Sequence, residues 1–160
     1  MRIVSIFAAT AFAFVLSSLA ACSSSGNAGS SSPFDGDWTC AETDVLTYTT
    51  PPGSAPQTLT GKATLLLTET TNGNITATPT TDAGTTCSLT YTTSGSTATL
   101  AANQGCTAGG LSFAYTQGTT TVNGASMTSS LEFSFTGSVT ADGGAIPVGG
   151  TGTTQYSCTK

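Results

Sequence analysis

The 160-residue chain has no histidine, and only three Lys plus Arg against eight Asp plus Glu, for a formal net charge of −5. Each scarcity excludes a class of function. Without histidine, a Ser-His-Asp triad and His-based metal sites are impossible. Without clustered Lys and Arg, a phosphate backbone finds no counter-charge, so nucleic acid is excluded as a partner. Charged residues make up 7% of the chain, against about a quarter in an ordinary soluble domain, so ion pairs can specify little of the fold. No Gly-x-Ser-x-Gly elbow occurs. Gly110-Leu111-Ser112-Phe113-Ala114 comes near it but reads as a strand, with no histidine to act as base. No Cys-x-x-Cys pair occurs either, which argues against zinc held by thiolates. Asp35, Asp37, Glu42 and Asp44 gather near the start of the body but lack the Asp-x-Asp-x-Asp-Gly spacing of a calcium loop, and they read as solvated acids at a turn and strand edge. These absences point to a non-enzymatic protein with no cofactor.

Threonine dominates what is present: 35 Thr, 20 Ser and 19 Gly. Thr is β-branched and favours a pleated surface, and no segment after Pro33 shows a convincing helical period. Turn signals recur through the body, as in a sandwich or barrel. The pattern predicts strands near 37–49, 57–70, 74–81, 85–93, 96–102, 109–121, 125–136 and 150–159, with 137–149 mainly loop. The fold expected is an all-β antiparallel meander of about eight strands, closed as a small lipocalin-like barrel, with a β-sandwich as the alternative.

Register can be argued at three turns. A three-residue loop Thr71-Asn72-Gly73, with Gly73 left-handed, sets Leu67 against Ala77 and Glu69 against Ile75. A two-residue Ser94-Gly95 turn pairs Tyr91 with Ala98 and Leu89 with Leu100. A three-residue Val122-Asn123-Gly124 loop pairs Tyr115 with Leu131, Phe113 with Phe133 and Leu111 with Phe135, which puts all six on one face. The aromatics of the body, with Leu46, Leu59, Leu65 and Leu67, supply a core. Many other inward candidates are Thr, Ala or Gly, so the interior is either thinly packed or hollow.

Four cysteines fall in the body: Cys40, Cys87, Cys106 and Cys158. Of the three possible connectivities, Cys40–Cys158 joins the first strand to the last, and Cys87–Cys106 staples a hairpin to its exit loop.

The chain opens with Met1-Arg2 and an apolar run over 3–19, ending Leu19-Ala20-Ala21-Cys22. This resembles the lipobox of bacterial lipoproteins. The resemblance implies a signal peptide over 1–21 and a diacylglyceryl group, with fatty acyl chains such as palmitate, on Cys22. It also implies a membrane anchor in the cell envelope, and Ser23 after the cysteine favours the outer membrane. Residues 23–32 are Ser, Gly, Asn and Ala, a flexible tether with a reach of about 18 Å, so 22–32 is anchor and tether and 33–160 is the barrel domain.

Gly36-Asp37-Trp38 resembles the Gly-x-Trp start of lipocalins and avidins, in which the Trp closes one barrel end. Lipocalins pack an Arg over that Trp, and the only Arg of this chain is Arg2. The Phe34-Asp35-Gly36-Asp37-Trp38-Thr39-Cys40 start, the lipobox and the Cys near the C-terminus resemble small Thr-rich lipoproteins of myxobacteria, a likeness that transfers no activity. The function expected is binding of a small neutral or apolar ligand, lined by Thr and Ser hydroxyls with Tyr48, Tyr91, Tyr115, Phe113 and Phe133. Lys62 and Lys160 are expected to point outside. Adhesion, interaction with an envelope protein, or a purely structural role is the alternative.

Overall fold

The computed structural model describes residues 32–70, 72–81, 87–141 and 144–160. The expected signal peptide, the expected lipidation site Cys22 and nearly all of the expected tether lie outside the described residues. Nine strands follow: β1 (Gly36–Thr50), β2 (Gln57–Glu69), β3 (Asn74–Thr81), β4 (Leu89–Ser94), β5 (Thr97–Leu100), β6 (Gln104–Ala108), β7 (Leu111–Asn123), β8 (Ser126–Ala141) and β9 (Gly144–Thr159). They form one antiparallel sheet in the order β5-β4-β3-β2-β1-β9-β8-β7-β6, and β5 also pairs with β7. That last pairing closes the single sheet into a disulfide-stapled ring rather than the two stacked sheets of the sandwich alternative. Closure pairs most of the edges that an open sheet would expose.

The ring has eight positions because β5 and β6 share one. β5 pairs with Thr119–Thr121 of β7, and β6 pairs with 111–115 of the same strand. The two pieces are separated by a break at Asn103, the one described non-glycine residue with positive φ. β5 has β4 on its far side, whereas β6 has no backbone ladder there. Side chains seal that gap. The Gln104 amide accepts from the Thr90 N–H at 2.6 Å and donates to the Thr90 carbonyl at 2.7 Å, as a neighbouring peptide would. The Cys87–Cys106 disulfide crosses the same seam. Cys40–Cys158 joins β1 to β9 at directly opposed positions, with Cα atoms 4.0 Å apart.

The expected register is correct at one turn and shifted at two. Leu67 faces Ala77 and Glu69 faces Ile75, with Gly73 at φ 71°. At the next turn Ser94 pairs with Thr97, so Gly95-Ser96 are the central residues and Tyr91 faces Leu100 rather than Ala98. Asn123 pairs with Ser126, which makes Gly124-Ala125 the turn instead of a three-residue loop. Gly95 and Gly124 both have φ 61° and lead their turns. That is the type II′ arrangement, with glycine first. A bulge between Tyr115 and Gln117 then restores the parity, so Tyr115 faces Phe133, Phe113 faces Phe135 and Leu111 faces Gly137. All six apolar side chains still share the inner face.

Three strand boundaries also differ from expectation. The 85–93 strand starts only at Leu89, and 109–121 is the end of a β6–β7 hairpin whose first strand begins at Gln104. Residues 137–141 and 144–149 are strand, not loop: Val139 pairs with Ile146 and Ser138 with Pro147. Pro147 is tolerated there because the β1 ladder ends at Gly149, leaving β9 an edge beyond it.

Candidate functional site: an open cavity with an acidic floor

In-out alternation along the strands places the interior. On β1 the even positions face inward, running Trp38, Cys40, Glu42, Asp44, Leu46 and Tyr48 from one end of the ring to the other. The first two are buried, and the last four line a cavity. The Trp38 end is solid. Trp38, Phe34 and Ile75 are 0% exposed, and Met127, Leu65, Leu67 and Leu89 pack with them. The indole N–H donates to the Phe34 carbonyl at 2.8 Å. Lys160 reaches over this end from the outside. Its Nζ lies 4.6 Å from the centre of the Trp38 ring and donates to the Asp35 carbonyl. A lysine thus takes the place over the Trp that lipocalins give to an arginine, a cation–π contact.

A band of polar groups lies above this packed end. Ladder pairing puts Thr120, Ser129, Tyr156 and Glu42 in one row across β7, β8, β9 and β1. The Thr120 and Ser129 hydroxyls meet at 2.8 Å, and the Tyr156 hydroxyl donates to Glu42 Oε1 at 2.8 Å. In the next row Thr154 donates to Asp44 Oδ1 at 2.5 Å. Among the described residues, no buried side-chain polar atom lacks a hydrogen-bond partner. Desolvation raises the Asp44 carboxyl above its ordinary 3.8, against the pull of the Thr154 hydrogen bond. Burial also raises the Tyr156 phenol, helped by the adjacent Glu42 charge, and pushes Tyr91 up to about 12. Tyr115 is raised by burial and by the charges of Asp44 and Glu42. The phenols therefore remain neutral hydrogen-bond donors at physiological pH.

Beyond this band the ring is hollow. A cavity of about 610 Å³ opens at the far end, walled by Tyr48, Leu46, Leu111, Phe113, Phe133 and Phe135 and floored by Glu42, Asp44, Tyr115 and Tyr156. Its size suits one small ligand. The aromatic wall is continuous: Phe113 and Phe133 meet edge-on at 5.7 Å, and so do Tyr48 and Phe135 at 5.5 Å. Glycines make room for it. Gly152 faces Phe133 and Gly150 faces Phe135 across the β8–β9 ladder. A Cβ on Gly152 would stand 2.5 Å from Phe133 Cζ, and one on Gly150 would collide with the Thr47 carbonyl. The rings thus lie against the wall over the glycines instead of filling the centre. Past the last β1 and β7 pairs, the β8–β9 hairpin continues alone and brings Val139 and Val148 to the mouth.

Of the expected lining, Phe113, Phe133, Tyr115 and Tyr48 are at the cavity. Tyr91 is not. It is 2% exposed and borders a separate void of about 30 Å³ in the packed half. Leu46 and Leu59 belong to the cavity rather than to the packed core, and Leu59 is half exposed. The expected hydroxyl lining is also corrected. Four of the five Thr residues of β1, at 39, 43, 47 and 49, have odd parity and lie on the other face from the cavity-lining residues, and among the described threonines only Thr154 lines the cavity. The four acids separate. Asp37 is exposed and Asp35 accepts from the Glu69 N–H at 2.8 Å, whereas Glu42 and Asp44 face the cavity rather than open solvent. Among the described residues no three His, Cys, Asp or Glu side chains are placed to hold a metal ion. Ser112 lies on the exposed face of β7 and Lys62 is exposed.

No protein-family model matches the chain, and no curated protein matches it. Among solved structures, it is similar to a protein of unknown function from the DUF3598 family of Nostoc punctiforme, at 13% identity and a TM-score of 0.40. The match covers 80% of this chain and 47% of that one, so the chain spans about half the length of the structure it resembles.

Proposed function

We propose that the protein is a membrane-anchored envelope lipoprotein that carries a small, mainly apolar ligand in the open end of its ring and catalyses no reaction. The observation that supports binding is the 610 Å³ cavity with its aromatic wall. A filled interior would instead favour an adhesion or interaction domain. Leu19-Ala20-Ala21-Cys22 supports the anchor, and three acyl chains at about 0.8 kcal/mol per buried CH₂ would make it effectively permanent. The chain enters the ring at the packed Trp38 end, so a tether attached there leaves the mouth directed away from the bilayer. The ligand is then exchanged with the aqueous compartment or with a partner in it.

A native mass spectrum of protein purified without denaturation tests the carrier reading. The expected result is an adduct of one small molecule that is lost on unfolding. Protein with no adduct, together with no binding of apolar probes, contradicts it. For the anchor, wild type should enter the detergent phase on partition and Cys22→Ala should stay aqueous. Wild type in the aqueous phase would refute lipidation.

A further inference from the structure

The wall of the open end is not laddered all the way round. β4 pairs with β3 only from Asn74 to Ala77, toward the packed end. From Thr78 to Thr81, β3 has β2 on one side and, among the described residues, no strand on the other. β6 likewise has β7 on one side alone. Pro79 of β3 and Ala108 of β6 both line the cavity, so this unladdered stretch is cavity wall. Side chains close it. Gln104 fastens β6 to the Thr90 peptide of β4. The Thr78 and Ser88 hydroxyls meet at 2.9 Å, which holds the segment before β4 to β3. The Cys87–Cys106 disulfide ties that segment to β6, and Cys87 itself lines the cavity. The Cys106 Sγ lies 4.0 Å from the hydroxyl of Tyr115, a floor residue.

The two disulfides therefore do different things. Cys40–Cys158 lies within the continuous β1–β9 ladder, and both of its cysteines are buried. Cutting it leaves the ladder in place. Cys87–Cys106 bridges strands that no backbone ladder joins, and Cys106 is only half-buried. Resting on the carrier reading above, we infer that Cys87–Cys106 is a site of thiol–disulfide exchange, and that its reduction by a small dithiol opens this side of the cavity and releases the ligand. A thiolate of the dithiol attacks the Cys106 sulfur. The Cys87–Cys106 bond breaks as a bond from Cys106 to the reductant forms, and Cys87 leaves as a thiolate that takes up a proton. The second thiol of the reductant then loses its proton and displaces Cys106, which is protonated in turn. The reductant departs as a disulfide, so two electrons have passed to the two cysteines. With the bridge cut, the segment before β4 is no longer tied to β6. Water then reaches the apolar wall from the side, and the burial that holds an apolar ligand is lost.

Graded reduction of the purified full chain tests this, with the neutral apolar dye N-phenyl-1-naphthylamine as the bound probe. Dithiothreitol is raised in steps, free thiols are trapped with iodoacetamide, and the trapped cysteines are mapped by mass spectrometry. Cys87 and Cys106 should be trapped at about a tenth of the dithiothreitol concentration that frees Cys40 and Cys158. At that stage dye affinity should fall about fivefold or more while far-UV circular dichroism is retained, because the ladders remain. The paired Cys87→Ser and Cys106→Ser substitution should bind the dye as weakly as the selectively reduced wild type, and dithiothreitol at the lower concentration should not weaken it further. Reduction of Cys40–Cys158 first or together with Cys87–Cys106 overturns the inference. So does dye affinity that survives mapped reduction of Cys87–Cys106, or a far-UV signal lost in step with the affinity, which would make the bridge a staple of the whole fold. Each of these outcomes leaves the carrier reading standing. Oxidised wild type that binds no dye overturns both.

Discussion

The packed end and the open end of the ring use the same strands and the same alternation, yet one is solid and the other hollow. The difference lies in what faces what. At the packed end each inward position carries bulk on every side: Trp38 faces Leu65, Leu67 faces Ala77 and Ala77 faces Leu89, while Phe34 and Met127 fill the centre. At the open end bulk meets bulk on one side only: Tyr115 faces Phe133 and Phe113 faces Phe135, but the next neighbours are glycines. Phe133 faces Gly152, Phe135 faces Gly150 and Leu111 faces Gly137. A ring of about eight strands is just wide enough for its side chains to fill or to hold one ligand. Here a few glycines decide between the two outcomes within a single ring.

The largest expected effect falls at the packed end. Replacing Cys40 and Cys158 together by Ala frees a loop of 118 residues, a loss of about 5 kcal/mol on the chain-entropy estimate. The same change at Cys87 and Cys106, which span 19 residues, should cost about 3 kcal/mol. Denaturant titration of each pair checks the order, and a larger loss at the shorter loop would show that the β6 seam, not the β1–β9 join, limits stability. Trp38→Ala should cost about 3–5 kcal/mol, the usual range for a fully buried Trp. Phe113→Ala removes a ring that already faces a void, and should cost clearly less while weakening ligand binding. Equal losses would mean that the two ends are not packed differently.

Gly152→Val tests the comparison from the other side. The new side chain must displace Phe133 from the wall into the cavity, at about 1–3 kcal/mol for overpacking, with loss of binding out of proportion to loss of stability. The smallest effect concerns Asp44. Its folded value is raised above 3.8 by burial, so the native state holds the proton more tightly than the unfolded chain does. Ligand-free protein should therefore gain stability as pH falls through the raised value, with the gain complete below 3.8. Asp44→Asn should remove that slope and slightly raise the neutral-pH melting temperature, as read by thermal scans between pH 3 and 7. A wild-type slope of opposite sign would mean that charged Asp44 is stabilised in the fold.

More of this site was legible in the sequence than the strand pattern alone suggests. Trp38 is expected to close one end of the barrel, and its parity on β1 carries Cys40, Glu42 and Asp44 inward. The expected Cys40–Cys158 link fixes the β1–β9 register, which sets Tyr156 opposite Glu42 and Thr154 opposite Asp44. The charge of these two acids alone points to solvated positions, whereas their alternation with Trp38 points inward. Two features were not legible. The bulge at Tyr115/Gln117 leaves no mark in composition, so its effect on parity was assigned to the turn. At Ser94-Gly95 the dipeptide suggests glycine in second place, whereas the chain uses it first, which moves that ladder by two residues without changing the inward face. At Val122-Asn123-Gly124 the two-residue turn moves the adjacent ladder by three residues and turns Thr120 and Val122 inward, until the bulge returns Tyr115 to the inner face. The abundance of Thr gave strand but not side: most described threonines cover the outside.

The most direct test is a fluorescence titration of the purified protein with N-phenyl-1-naphthylamine, a neutral apolar dye that brightens on leaving water. Wild type and Gly152→Val should be compared at matched far-UV circular dichroism. The expected result is saturable one-to-one binding by wild type and at least tenfold weaker binding by the variant. No enhancement with wild type, or equal affinity in both proteins, would contradict a ligand cavity held open by glycine.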